Sequence, residues 1–106
     1  MNKMKVKMVR LIFSLYKPSL CVLNDSNLKE YNEKIIEIAK LVVDLYTDQI
    51  KQSDPIEQKA LKMRYQEDMS FEDISTSLGY VNHSSATRLI SKYFENLAQK
   101  LTDERT

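Results

Sequence analysis

Along most of this chain apolar residues return every three or four positions, the period of helices that bury one face. The longest such run, Leu28, Tyr31, Ile35, Ile38, Val42 and Leu45, predicts a helix over about Asn27 to Gln52, with Ile36, Leu41, Tyr46 and Ile50 widening its stripe. Strict three-four alternation over about three heptads is also the lower edge of a coiled-coil signal, so packing within the chain and pairing with a second copy both stay open. Ahead of it, Met4, Val6 and Met8 alternate as a strand would, while Val9, Ile12, Phe13 and Tyr16 suit a helix. A helix over 1–16 is expected, because a lone strand finds no partner in the rest of the sequence. Pro18 is expected to stop it, leaving Leu20 to Leu23 as an apolar connector and Asn24-Asp25-Ser26-Asn27 as a loop ending in a cap.

Gln52-Ser53-Asp54-Pro55 interrupts the pattern and restarts it: Ser53 or Asp54 caps, Pro55 takes the first helical position, and Glu57 sits in the first turn. Ile56, Ala60, Leu61 and Tyr65 then face inward on a helix to about Gln66. A short helix opens at Ser70, paired with Asp73 as a capping box, and carries Phe71, Ile74 and Leu78 on one side. Gly79, the only glycine of the chain, suits a positive φ after its last turn. After Tyr80 and Val81, Asn82 caps a last helix from about His83, whose inner face is Ala86, Leu89, Ile90, Tyr93, Phe94, Leu97 and Leu101. Its outer face carries Ser84, Ser85, Thr87, Arg88, Ser91 and Lys92, small hydroxyls and two cations with no carboxylate among them. Such a set suits close approach to a DNA groove, and the two helices with their tight turn read as a helix-turn-helix.

From about Asp54 to Leu101 the sequence resembles the region-four DNA-binding domain of bacterial sigma factors, on Leu61, Arg64, Tyr65, the run Ser70-Phe71-Glu72-Asp73-Ile74, and Leu78-Gly79-Tyr80 ahead of the last helix. Small phage transcription regulators of the ArpU and RinA type carry a similar domain without the rest of a sigma factor. The resemblance implies action near a promoter, with RNA polymerase as a further partner, and splits the chain into an N-terminal helical segment, 1–52, and a DNA-binding domain, 53–106. One departure stands out. The buried aliphatic expected six residues after the turn glycine falls on Ser85, whereas the apolar residue is Ala86, so the turn is one residue longer. That longer turn, Asn82-His83-Ser84-Ser85, is similar to the D-H-T-T signature of the replication initiator DnaA. There the His and Thr residues contact DNA, which would carry the role to His83, Ser84 and Ser85.

Composition narrows the classes. A chain of 106 residues with one glycine and two prolines is a small all-α protein, expected to hold about five helices. One histidine and one cysteine, far apart, assemble neither a zinc site nor a Cys-His nucleophile, and no glycine-rich phosphate loop is present, so no enzyme, metal or cofactor is expected. Cys21 cannot form an internal disulfide, which makes a reducing cytoplasm the default. No apolar run approaches the roughly 18 residues of a membrane span, and the apolar core Leu11 to Leu15 is too short for an export signal. The net charge of +1 is silent about nucleic acid, but its distribution is not. Residues 1–24 hold five bases and no acid, whereas acids outnumber bases eight to five over 25–60.

The expectation is a sequence-specific regulator that reads double-stranded DNA with helix 83–101: bases through Ser84, Ser85, Thr87 and Arg88, and phosphates through Lys92, His83 and Ser70, with Ser91 on the same face. Arg64 reaches a phosphate or pairs with Glu67 or Asp68. The basic N-terminal arm is solvated or touches the DNA backbone, and a homodimer would match a palindromic site. The alternative, from another class, is a helix-turn-helix module that binds a transcription or replication protein and no specific DNA.

Overall fold

Helix α1 (Lys3–Ser14) runs into α2 (Tyr16–Leu23), and α3 (Glu33–Gln52), α4 (Pro55–Tyr65), α5 (Phe71–Ser77) and α6 (Ser85–Asp103) follow, with one 3-10 turn at Leu28–Glu30. The computed structural model of the protein describes the backbone of residues 3–103 and the side chains of residues 3–101, and it has no strand among them. The protein is all-α.

Twelve buried residues from five of these helices make one cluster: Val9 and Phe13 of α1, Tyr46 and Ile50 of α3, Ala60 and Leu61 of α4, Ile74 of α5, and Ala86, Ile90, Tyr93, Phe94 and Leu97 of α6. Phe13 is its hub. Its ring centroid lies 5.2 Å from Tyr46, 5.8 Å from Tyr65, 6.0 Å from Tyr93 and 5.0 Å from Phe94, each edge to face, the arrangement favoured by aromatic quadrupoles. The segments on either side of residue 52 therefore share a core. Burial pushes the phenols of Tyr46, Tyr65 and Tyr93 above their ordinary value. The hydroxyl of Tyr46 donates to Gln66 Oε1 at 2.9 Å, so it is satisfied where it is buried.

Three boundaries differ from the expectation, each for a local reason. Pro18 does not end the first helix for good. It sits in the first turn of α2, where no N–H is needed, and its missing donor falls opposite the carbonyl of Ser14, so the helix is interrupted only at Leu15 and resumes at Tyr16. The stretch expected as a connector, Leu20 to Leu23, is thus helical and packs with the rest of α2 along α3. Helix α3 starts at Glu33 rather than near Asn27, because Asp25 folds the preceding loop around its carboxylate: Oδ1 accepts the Asn27 N–H at 2.8 Å and Oδ2 the Tyr31 hydroxyl at 2.7 Å. Those two hydrogen bonds hold the Asp25 carboxyl below its usual value, and the bond to Asp25, with the carboxylate's charge, raises the Tyr31 phenol. Asn32 then caps α3 by accepting from the Lys34 N–H at 2.8 Å. The third shift, at the start of α6, belongs to the site.

Candidate nucleic-acid interface

Helix α5 opens as its sequence requires, with the Ser70 hydroxyl accepting the Asp73 N–H at 3.1 Å. It closes at Gly79, whose φ of +82° is the left-handed conformation that a side chain would strain. Leu78, Gly79 and Tyr80 send their N–H groups back to the carbonyls of Ile74, Thr76 and Ser75, which satisfies the helix end. The turn that follows reaches to Ser84, and α6 begins at Ser85, two residues past the expected start. Asn82 Oδ1 accepts both the N–H of Ser84 at 2.8 Å and its hydroxyl at 2.7 Å, holding His83 and Ser84 in the turn instead of in the helix.

Ser75 locks the two helices together. Fully buried in α5, its hydroxyl donates to the His83 carbonyl at 3.0 Å and accepts the Ala86 N–H at 2.9 Å. One of the four orphan donors at the start of α6 is thereby capped from the neighbouring helix. Ala86 is fully buried beneath it, in the place where the sequence has an apolar residue one position later than the usual turn.

The outer face of α6 is organised in lines along the helix. Ser84, Arg88 and Lys92, four residues apart, are exposed, and Arg88 Nη2 donates to Ser84 Oγ at 2.7 Å. Asn82, Ser84 and Arg88 thus form a hydrogen-bonded chain that holds the guanidinium over the first turn. Beside this line is an open depression of about 300 Å³ bordered by Tyr80, Ser85, Arg88, Leu89 and Lys92. Thr87 is exposed, and Ser91, half-buried, lies on the flank turned to α1, where its hydroxyl accepts from Arg10 Nη2 at 2.8 Å. Arg10 also stands over the Phe94 ring, 5.1 Å from its centroid. His83 is exposed with Nδ1 3.2 Å from Glu72 Oε1, and Glu95, exposed on α6 three residues beyond Lys92, is the acid of the outer face itself.

Of the residues singled out from the sequence, Ser84, Ser85, Arg88 and Lys92 share one surface, with Thr87 at its side. Ser91 is already occupied by Arg10, His83 is paired with Glu72, and the Ser70 hydroxyl is spent on its cap. Sequence reasoning passed over Tyr80, which borders the depression, and placed Arg10 only in a basic arm, since its contact with α6 carries no local signal eighty-one positions away. Arg64 pairs with neither Glu67 nor Asp68. Its Nη1 donates to the Met69 carbonyl at 3.0 Å and its guanidinium covers the Phe71 ring at 4.1 Å.

Among the described residues no group of three or more His, Cys, Asp or Glu side chains is placed to hold a metal ion, and no helix is long and apolar enough to cross a membrane. Comparison with protein-family models, with curated proteins and with solved structures finds no match to this chain.

Proposed function

We propose that this protein is a sequence-specific, double-stranded-DNA-binding transcriptional regulator of phage or mobile-element type, in which α5 and α6 act as a helix-turn-helix. The observation that carries the proposal is the line Ser84, Arg88 and Lys92, outward-facing, without a carboxylate until Glu95 one turn further on, and pre-set by the Asn82–Ser84–Arg88 hydrogen bonds. Helix α6 enters the major groove with this line foremost. Arg88 exchanges its bond to Ser84 for a bidentate pair with guanine, Lys92 neutralises phosphate, and Ser84, Ser85 and Thr87 approach base edges closely. His83 stands beside Glu72, at the edge of the face that meets the polyanion. The same resemblance that suggests a promoter-proximal role makes RNA polymerase a second partner. Ile35, Ile38 and Leu41, 48%, 57% and 68% exposed along α3, are the surface through which two copies would pair on a palindromic site.

Selection from a pool of random duplexes at low and moderate salt tests the proposal. One enriched sequence is expected, with Arg88→Ala losing ~1–3 kcal/mol and its preference at one base, and Lys92→Ala weakening all sequences alike. A protein that forms no DNA complex even at low salt refutes it. The competing reading, a protein-binding module, draws on a different observation: Met4, Met8 and Leu11 are 65%, 57% and 59% exposed along α1, and Val81 is 98% exposed in the turn. An interface of that kind would keep its affinity as salt rises, whereas DNA binding falls steeply.

A further inference from the structure

The bases of the N-terminal helices follow a helical spacing of their own. Lys3, Lys7 and Arg10 fall four and three apart, one stripe along α1, and Ser14 and Lys17 follow at four and three across the break into α2. This stripe borders a groove against the α4–α5 junction, an open space of about 400 Å³ whose walls include Lys7, Arg10, Ser14, Arg64 and Phe71. We propose that this groove seats the phosphate backbone of the same DNA duplex whose major groove α6 enters, so that the protein grips DNA at two places. The inference rests on the DNA-binding reading above and extends it to a surface outside the helix-turn-helix.

Three features point to a polyanion there. Both guanidiniums are held in place before any ligand arrives, Arg10 by Ser91 and Phe94, Arg64 by Met69 and Phe71, so little side-chain entropy remains to be lost on binding. Lys3 and Lys7 are exposed and face no carboxylate among the described ion pairs, whereas Lys17 is tied to Asp68, which ends the usable stripe at Ser14. The opposing acids at the junction are Glu67, Asp68, Glu72 and Asp73, of which Asp68 is neutralised by Lys17 and Glu72 faces His83.

Continuity selects DNA over an acidic protein. Arg10 bonds to Ser91, three residues on from Arg88, so the groove adjoins the flank of the α6 face, with exposed Glu95 one turn beyond Ser91 as the acid at that end. From Lys3 to Arg10 the stripe spans ~10 Å of helix axis, the axial rise of about three base pairs. An extended row of charges at that spacing matches a backbone better than a single anion.

The test measures affinity of the parent and of a Lys3→Gln, Lys7→Gln double variant for the parent's preferred duplex between about 50 and 200 mM salt. Both lysines are exposed, so the fold is unaffected. Loss of two phosphate contacts flattens the slope of log K against log salt by about 1.8, which makes the parent's advantage shrink about tenfold over that range. The ranking of sequences stays as in the parent, unlike that of Arg88→Ala. On a duplex trimmed to the base pairs under α6 the two proteins are expected to converge. Equal slopes on the full duplex overturn the inference and leave the reading of α6 standing. So does a double variant that keeps its DNA slope but loses binding to polyglutamate, which would assign the groove to an acidic protein. A parent that binds no DNA overturns both.

Discussion

Replacing Ser75 by alanine removes one oxygen from the buried contact between α5 and α6, and the structure states what that oxygen does. It accepts the N–H of Ala86, a residue with no exposed surface, and donates to the carbonyl of His83, a residue at the surface. The two losses are unequal. Water can replace the serine at the His83 carbonyl, but the Ala86 N–H lies at the second position of α6, where no helical carbonyl precedes it, and is left unpaired. An orphaned buried donor costs ~1–3 kcal/mol, so Ser75→Ala is expected to destabilise by about 2 kcal/mol. Against a total of roughly 5–15 kcal/mol for a chain of this size, that is a large fraction. With a urea slope of about 1–2 kcal/mol/M it moves the midpoint down by ~1–2 M at unchanged slope, readable by far-UV circular dichroism. Thr76→Ala is the control. Thr76 is exposed and its hydroxyl bonds only to the carbonyl of Glu72 one turn back, so its loss stays within about 0.5 kcal/mol. Equal midpoints for the two variants would refute the cap between helices.

Three further outcomes follow from the core and the turn. Phe13→Ala empties the hub that joins α1 to three other helices and is expected to cost ~3–5 kcal/mol; a loss under 1 kcal/mol in denaturant titration would show that α1 contributes little to the shared core. Tyr46, Tyr65 and Tyr93 all have folded-state values raised by burial, so their contribution is complete below about pH 10, where unfolded tyrosine ionises, and is lost as pH climbs beyond it. Tyrosinate absorbance should therefore rise together with loss of helix; ionisation of all six tyrosines without unfolding would contradict the buried placement. At Gly79 a Cβ would meet nothing within 4 Å, which leaves only the positive φ to resist it. Gly79→Ala should cost ~1–2 kcal/mol and Gly79→Asn less, and a larger alanine penalty would contradict the open space around this turn.

Much of the fold was legible because its signals are local. The cap at Ser70, the full capping box of Asp54 with Glu57, and the positive φ of Gly79 each depend on residues a few positions apart and stand in the structure, although at Ser70 the described bond is the Asp73 N–H to the serine hydroxyl and not the reciprocal one from the Asp73 side chain. The long turn before α6 was legible too, from the displacement of the apolar residue to Ala86. The errors fell where one local preference competes with another. Pro18 is a helix stop in mid-helix and a helix start in a first turn, and its sequence neighbourhood does not say which; the three-four period through Leu28 and Tyr31 lost to hydrogen bonds collected by Asp25.

On the face of α6, the residue types were evident from the sequence, but their availability was not. Whether a hydroxyl points to solvent or is taken depends on what another helix brings to it: Arg10 to Ser91, Glu72 to His83. The sequence by itself determined that the protein is helical, where α4 and α5 begin and end, and which face of the longer helices is apolar, since hydrogen bonding and burial along one helix involve near neighbours. The tertiary structure decided that Ser75 caps α6, that Phe13 joins α1 to the C-terminal helices, and that Arg10 of α1 reaches Ser91 and Phe94 of α6, because each of these contacts joins residues far apart in the chain whose approach is set by packing the whole core.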